Sequence, residues 1–326
     1  MSVLVTGASG FLGRAVVAAA ARSGHKVVAM VRADATTDSL PPGTEVLRGD
    51  LRQPALWRDQ LGDVRVVVHL AASPTGDLAE QLEGTVVGTE NLLNALDLGS
   101  VERFVHVSSF SVYDFHSPAE GAAIDEDSAL EAHPQLRDAY TTTKLVQERL
   151  VRERCRAAGT PLVVLRPGAI YGPGKDWSCG AALTVGPIGL VFSPQALFRL
   201  TYVDNCADAV VRAIDAPNTA GRTLDVVDDG LPTHWQYFRR CTAAAGKSRW
   251  ALPVPWLVVV TVGRILRVCD ERIGHNRARF PEFLSLRRQE ARWKPFTYPN
   301  DAVKAALGWA PRVPVAAGIR ATMERT

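Results

Sequence analysis

VLVTGASGFLGRAV, residues 3–16, changes character twice in a short span. Apolar residues give way to Gly7, Gly10 and Gly13, and these to an alanine-rich stretch that runs to Gly24. The pattern predicts a buried strand over residues 2–6, a tight turn, and a helix closed by Gly24. Glycine is required where backbone turns sharply, approaches a pyrophosphate, or lets a helix lie close to a strand. A helix opening near Gly10–Phe11 would present unpaired N–H groups and a positive dipole end, which suit phosphate. A glycine triplet alone is weak evidence. Placed directly after a first strand and opening a helix, it is far more specific than a plain strand–helix turn.

Further apolar runs follow at Val27–Val31, Thr44–Leu47, Val64–Leu70, Phe104–Ser108 and Leu162–Arg166, with helical patterns over about 78–98 and 139–157. Strands that are apolar throughout and alternate with helices predict an α/β fold, a doubly wound parallel sheet of the Rossmann type covered on both faces. After residue 170 prolines and glycines become dense. The expected division is a dinucleotide-binding domain over 1–170 with a return segment at about 201–229. Residues 171–200 and 230–326 would form a smaller, irregular C-terminal substrate domain at the sheet's carboxyl edge, where such folds bind ligands.

The 326 residues, 47% apolar and 22% charged, suit a globular enzyme. A formal charge of +3, with no aromatic-studded basic stretch, argues against nucleic acid as a partner. The opening residues lack the basic region and cleavage site of a secretion signal. The apolar run Trp256–Val262 is far below the roughly 20 residues of a membrane span. Cys155, Cys179, Cys206, Cys241 and Cys269 stand far apart, which predicts reduced thiols and a cytoplasmic protein with no metal site.

Three places suggest chemistry. Val31 stands at the end of the second strand, where an acid would bind the ribose of NAD, and Arg32 follows. A guanidinium suits a 2′-phosphate, so NADP is the expected cofactor. Two other readings stay open: Arg32 as a solvated strand end, and Asp34 serving an NAD ribose. FVHVSSFSVYD, residues 104–114, ends a strand on two serines that would face the ligand crevice. In AYTTTKL, residues 139–145, Tyr140 and Lys144 lie four apart and share a helix face. Taken alone, that pair could be a surface coincidence.

With these stretches in view, the chain resembles the extended short-chain dehydrogenase/reductases, also described as the NAD-dependent epimerase/dehydratase family. TGASGFLG (6–13), GD (49–50), HLAA (69–72), GTENLL (88–93), VSSFSVYD (107–114), YTTTK (140–144), LRPGAIYGPG (165–174), YVDNCADA (202–209) and LGWAP (307–311) carry the resemblance over nearly the whole length. It implies catalytic roles for Ser109, Tyr140 and Lys144. It also implies cofactor contacts from Gly7, Gly10, Phe11, Leu12, Gly13, Arg32, Asp50, Leu51, Leu70, Ala71, Ala72, Tyr140, Lys144, Pro167, Ala169 and Ile170, with Asp50 at the adenine amine. Such enzymes are often homodimers. In the implied chemistry a nearby ammonium and a positive nicotinamide draw the Tyr140 phenol down toward neutrality, and Ser109 supports the substrate oxygen.

Departures from the pattern narrow the reaction. The family's dehydratases place acids after the catalytic hydroxyl, whereas Phe110 and Ser111 stand here. Ala169 and Thr85 replace asparagines frequent in nucleotide-sugar enzymes. The features are most like the 3β-hydroxysteroid dehydrogenase and dihydroflavonol reductase branch. A small-molecule ketone or secondary alcohol is the expected substrate, with a nucleotide-sugar epimerase or 4-ketoreductase, or a non-catalytic cofactor-binding protein, as alternatives. Residues 263–294 hold nine Lys/Arg against four Asp/Glu. They read as a packed helix with a solvated basic face, an anionic-substrate pocket, or a weak membrane-surface contact through 255–294. The loop DEDSALEAH, 125–133, reads as a solvated connection. Trp177 and Phe192 are candidate pocket residues.

Overall fold

The computed structural model describes residues 2–62, 64–177, 181–247, 249–272 and 285–324. Its first half runs β1 (Ser2–Thr6), α1 (Phe11–Arg22), β2 (Lys26–Val31), β3 (Glu45–Arg48), β4 (Val66–His69), α2 (Leu78–Gln81), α3 (Gly88–Ala95), β5 (Arg103–Val107), α4 (Ala139–Ala158) and β6 (Leu162–Pro167). Then come β7 (Ala169–Tyr171), β8 (Ala182–Val185), β9 (Ile188–Phe192), β10 (Leu200–Tyr202), α5 (Val203–Asp215), β11 (Thr223–Val226), α6 (His234–Ala244) and β12 (Trp250–Val254). The chain closes with α7 (Trp256–Arg272), α8 (Leu286–Trp293), α9 (Asp301–Leu307) and α10 (Val315–Met323).

Seven strands form the central sheet in the order β11-β6-β5-β4-β1-β2-β3, and every pairing is parallel. Alternate residues of each strand serve opposite faces. Val3 and Val5 pack beneath Val16, Val17 and Ala20 of α1 and Ala209 and Val210 of α5. Leu4 faces the other way, into the layer of Leu92 and Leu93 of α3 and Val151 and Cys155 of α4. Burying each such side chain stabilises by roughly 1.5–3 kcal/mol, so the apolar runs themselves dictate the two-sided architecture. Two small sheets stand apart: β10 beside β7, and β12-β9-β8.

The helix expected over 78–98 is not continuous. A π turn spans Leu82–Val87 between α2 and α3, and the helix ends at Ala95, before an extended Leu96. The Thr89 hydroxyl donates to the Thr85 carbonyl at 2.5 Å, and the Thr85 hydroxyl accepts from Ser73 N at 2.9 Å. Hydroxyls that reach backbone groups in this way disturb the regular ladder.

One further reading needs correction. The loop 125–133 is not a solvated tether. Glu131 is buried and takes Arg287 at 2.6 Å, and Glu126 accepts from Asp225 N at 2.8 Å. Toward its end the basic run is engaged: Lys294 donates to the His116 and Pro118 carbonyls, and Glu290 meets His116 at 2.6 Å, whereas Arg264 is exposed. Residues 273–284 and Cys179 lie outside the described residues, while Cys155, Cys206 and Cys241 are free and buried.

Asn205 of α5 ties the C-terminal segment down. Its amide donates to the Val313 carbonyl and Asp228, its oxygen accepts from Arg312 N and Val313 N, and Trp309 Nε1 donates to its carbonyl. The YVDN and LGWAP motifs therefore hold each other.

Beside α4 lies a buried charge group. Arg166 grips Glu148 at 2.6 and 3.1 Å. Burial opposes the Glu148 charge, but Arg166 prevails and holds its pKa at about 2. Arg166 also lies 4.7 Å from the centre of the Tyr113 ring, and the Tyr113 hydroxyl donates to Asp225 at 2.8 Å. Burial, with Glu126 nearby, pushes Asp225 up to about 8. An acid whose folded pKa is raised stabilises below its unfolded pKa and loses that stability as pH rises through the folded one. Asp225→Asn keeps the Tyr113 contact and removes this loss. Its melting temperature relative to the unmodified protein should therefore climb as pH rises from about 4 to about 8. A difference that stays flat across that range in calorimetry would show that burial does not hold Asp225 in its neutral form.

Candidate active site

The glycine turn is built as its spacing suggests. Gly7 has φ 68°, the left-handed region, and a Cβ there would meet the backbone of Ala71 at 3.0 Å. A Cβ on Gly13 would come within 2.1 Å of the Gly7 carbonyl, so this glycine sets the strand–helix distance. Gly10 is the exposed N-cap of α1, with no side-chain cap and no acid in the first turn. The N–H groups of that turn stay available, which fits a pyrophosphate. Phe11 and Leu12 follow, half-buried, and the Lys175 ammonium lies 5.4 Å from the centre of the Phe11 ring. Lys175 was not anticipated; its signal is the lysine closing LRPGAIYGPGK. Trp177 packs rather than standing free: its Nε1 donates to the Ile170 carbonyl at 2.8 Å, and its backbone N donates to the Tyr237 hydroxyl. Phe192 is stacked on Trp293 at 4.4 Å.

At the adenosine end, Val31 is 2% exposed and cannot serve a ribose, while Arg32 projects outward at 73% side-chain exposure, 3.9 Å from Asp34. Arg48 donates to the carbonyls of Ala33 and Ala35 and so braces the turn that carries Arg32. Asp50 is gripped by Arg52 at 2.6–3.0 Å. Those hydrogen bonds outweigh burial and, with the charge of Arg32, hold its carboxyl below the usual range. Leu51 beside it is half-buried, its carbonyl taken by Asn91.

Leu70, Ala71 and Ala72 follow β4 directly, half-buried, with Ala71 against Gly7. Pro167 ends β6. Ala169 donates its N–H to the Arg199 carbonyl, and Ile170 continues β7. These residues and the glycine turn lie at the carboxyl ends of β1, its neighbour β4, and β6, which is separated from β4 by β5.

Ser109 follows β5 at the same edge. Asp138 caps α4 by accepting from Thr141 N at 2.6 Å, which puts Tyr140 in the first turn. Thr141 and Thr143 are fully buried, and the hydroxyls of Thr142 and Thr143 donate back to the carbonyls of Asp138 and Tyr140. The threonines thus face the sheet or close on their own backbone, which accounts for poor helix formers in this turn. The Ser109 hydroxyl reaches the Tyr140 phenol. Burial raises the Tyr140 pKa above its ordinary value; Ser109 lowers it and Asp138 raises it. The expected downward pull of Lys144 is not what governs the phenol in this chain. The reason is where the ammonium points: Lys144 Nζ donates to the Val107 carbonyl at 2.9 Å and to Gln147 Oε1. Lys144 is 2% exposed, and burial, partly offset by Glu148, depresses its pKa to about 7. Two of its three N–H groups have these acceptors, which leaves one for a ligand.

Gln147 is the residue that sequence reading missed. Its Nε2 donates to the Ala71 carbonyl at 2.9 Å and to Thr89 Oγ1 at 2.8 Å. His69 lies between Thr89 (2.8 Å) and Thr6 (2.7 Å). Burial and Lys144 lower His69 to about 3, so the ring is neutral, and its partners assign the proton to Nε2. One buried hydrogen-bonded chain thereby runs from Lys144 to the loop after β4. Nothing local in LVQER marks Gln147; its partners lie 58 and 76 positions away.

The NAD dependent epimerase/dehydratase family model matches residues 3–226. A 2-alkyl-3-oxoalkanoate reductase of Stenotrophomonas maltophilia is 27% identical over 331 residues, covering 98% of both chains. A 3 beta-hydroxysteroid dehydrogenase/Delta 5-->4-isomerase of Mycobacterium tuberculosis is 33% identical over 264 residues, covering 76% of this chain and 70% of that one. Among solved structures, UDP-glucuronic acid 4-epimerase from Bacillus cereus in complex with NAD has the same fold, with a TM-score of 0.72 at 20% identity over 100% of this chain and 98% of that one.

Removing the Gln147 amide should expose its function. Gln147→Leu strands several buried polar partners, which should cost about 1–3 kcal/mol in urea unfolding. It should also weaken nicotinamide dinucleotide binding by about tenfold, because Lys144 loses the acceptor that orients it. Unchanged affinity in a folded variant, titrated by fluorescence, would reduce Gln147 to a space-filler.

Proposed function

The chain belongs to the NAD-dependent epimerase/dehydratase family, and we propose that within it the protein is an NADP(H)-dependent oxidoreductase acting on a ketone or secondary alcohol. The observation that supports this reading is that Ser109 follows β5, that Lys144 donates to the Val107 carbonyl at the end of that strand, and that Tyr140 stands one helical turn before Lys144, with Phe110 and Ser111 where a dehydratase would need acids. The nicotinamide supplies or takes up hydride. The chain does the rest. Tyr140, kept protonated by burial, gives its phenolic proton to the substrate oxygen in the reductive direction and is reprotonated from solvent after product leaves. Ser109 donates a hydrogen bond to the same oxygen and supports the charge that develops there. The remaining N–H of Lys144 would hold a bound cofactor's ribose, while Val107 and Gln147 keep the ammonium in register.

The full-length similarity to a 2-alkyl-3-oxoalkanoate reductase and the likeness to a 3β-hydroxysteroid dehydrogenase favour an apolar ketone as substrate. The fold neighbour that acts on a UDP-sugar supports the second reading, an epimerase. Ala169 weighs against it, because a methyl group offers no hydrogen bond to a sugar diphosphate. For the cofactor, the family description and that neighbour both name NAD. Buried Val31 and outward Arg32, braced by Arg48, favour a 2′-phosphate.

Tyr140→Phe keeps the ring and loses only the hydroxyl. It should still bind cofactor and melt near the unmodified temperature, yet lose turnover of an accepted ketone by at least about a hundredfold. Turnover at the unmodified rate would make the Tyr/Lys spacing a coincidence. For cofactor choice, NADPH should bind more tightly than NADH. Arg32→Ala should remove most of that preference, about ten- to a hundredfold for a charge-assisted contact. Equal affinities in the unmodified protein would return the assignment to NAD.

A further inference from the structure

The strand β12 and helix α7 break the usual surface rule. Helices of a globular protein turn one apolar stripe inward and polar residues outward. The inner face of α7 is conventional: Trp256, Val259 and Val260 pack with Trp293 of α8 and Phe192 of β9. Its outer face is apolar as well. Leu257 is 74% exposed and Ile265 55%, and Val258, Val262 and Val268 are exposed with them. Just before the helix, Trp250 is 77% exposed and pairs in register with Ile188, also exposed. No helix among the described residues is long and apolar enough to cross a membrane.

Charge identifies what this face suits. Residues 246–269 contain Lys247, Arg249, Arg264 and Arg267 and no Asp or Glu; the acids of α7, Asp270 and Glu271, stand only in its last turn. Lys247 and Arg264 are exposed. Folding a second copy of the same patch onto this one would bring cations against cations, which disfavours a symmetric dimer here. An exposed indole, branched aliphatic side chains and cations with no ion pair among the described residues together match the boundary of an anionic bilayer. We propose that β12 and the outer face of α7 rest on the surface of an anionic lipid membrane, with Trp250, Leu257 and Ile265 in the acyl boundary and Lys247, Arg249 and Arg264 at the headgroups. The contact is peripheral and does not involve the chemistry at Tyr140.

The test uses the full chain in vesicle co-sedimentation. Phosphatidylcholine vesicles containing about a third phosphatidylglycerol should retain the protein at least about tenfold better than phosphatidylcholine alone, and added salt should reverse this. The double variant Leu257→Asp/Ile265→Asp, with its fold checked by circular dichroism, should lose retention. Arg264→Glu should weaken it and reduce its dependence on anionic lipid. Failure of the unmodified protein to sediment with either vesicle overturns the proposal. So does undiminished retention of the folded double variant. A dimer in analytical ultracentrifugation that the double variant turns into a monomer would assign the face to a second copy instead.

Discussion

The Lys144 ammonium sits inside the protein, donating to the Val107 carbonyl at the last residue of β5. A buried cation is costly unless its hydrogen bonds are met. That requirement fixes α4 against β5, because the helix can meet it in only one register. Once the register is set, Tyr140 comes one turn earlier over Ser109, and Glu148 comes one turn later onto Arg166 of β6. The edge that carries Ser109 and Tyr140 and the structural ion pair are thus two ends of one constraint. Gln147 completes it from the side by bonding Lys144 and the loop after β4 at once.

The same helix faces two electrostatic regimes. Toward β6 a carboxylate is held ionised by an arginine. On the adjoining strand β11, Asp225 takes the Tyr113 hydroxyl but no arginine and is pushed toward the neutral form. At the crevice, burial works on both Tyr140 and Lys144 toward their uncharged forms. This arrangement leaves a protonated phenol at neutral pH, the form needed to deliver a proton to a carbonyl. Stability is spent on ion pairs behind the site, and the crevice keeps groups whose charge responds to what binds beside them.

Much of the plan was legible along the chain. VLVTGASGFLGRAV announced a strand, a glycine turn and an uncapped helix because each depends on neighbouring residues alone. Apolar runs marked the strands, and their lack of alternation marked a sheet buried on both faces. The four-residue step from Tyr140 to Lys144 placed the pair on one helix face. What stayed hidden was anything decided by a distant partner. Thr85 and Thr89 open a π turn because Ser73 and a carbonyl compete for their hydroxyls. Glu126 and Glu131 look like loop acids until Asp225 and Arg287 arrive from far along the chain.

The sequence by itself determined the fold class and the strand–glycine turn–helix opening, since these follow from periodicity and short spacing, while the family resemblance singled out Ser109, Tyr140 and Lys144. Only the tertiary structure decided how those residues behave. The direction of the Lys144 ammonium, the upward shift of Tyr140, the bonds of Gln147 and the bare outer face of α7 all depend on which surfaces meet across the fold. Burial and partner choice set charge and orientation, and neither is a property of a residue and its neighbours in sequence.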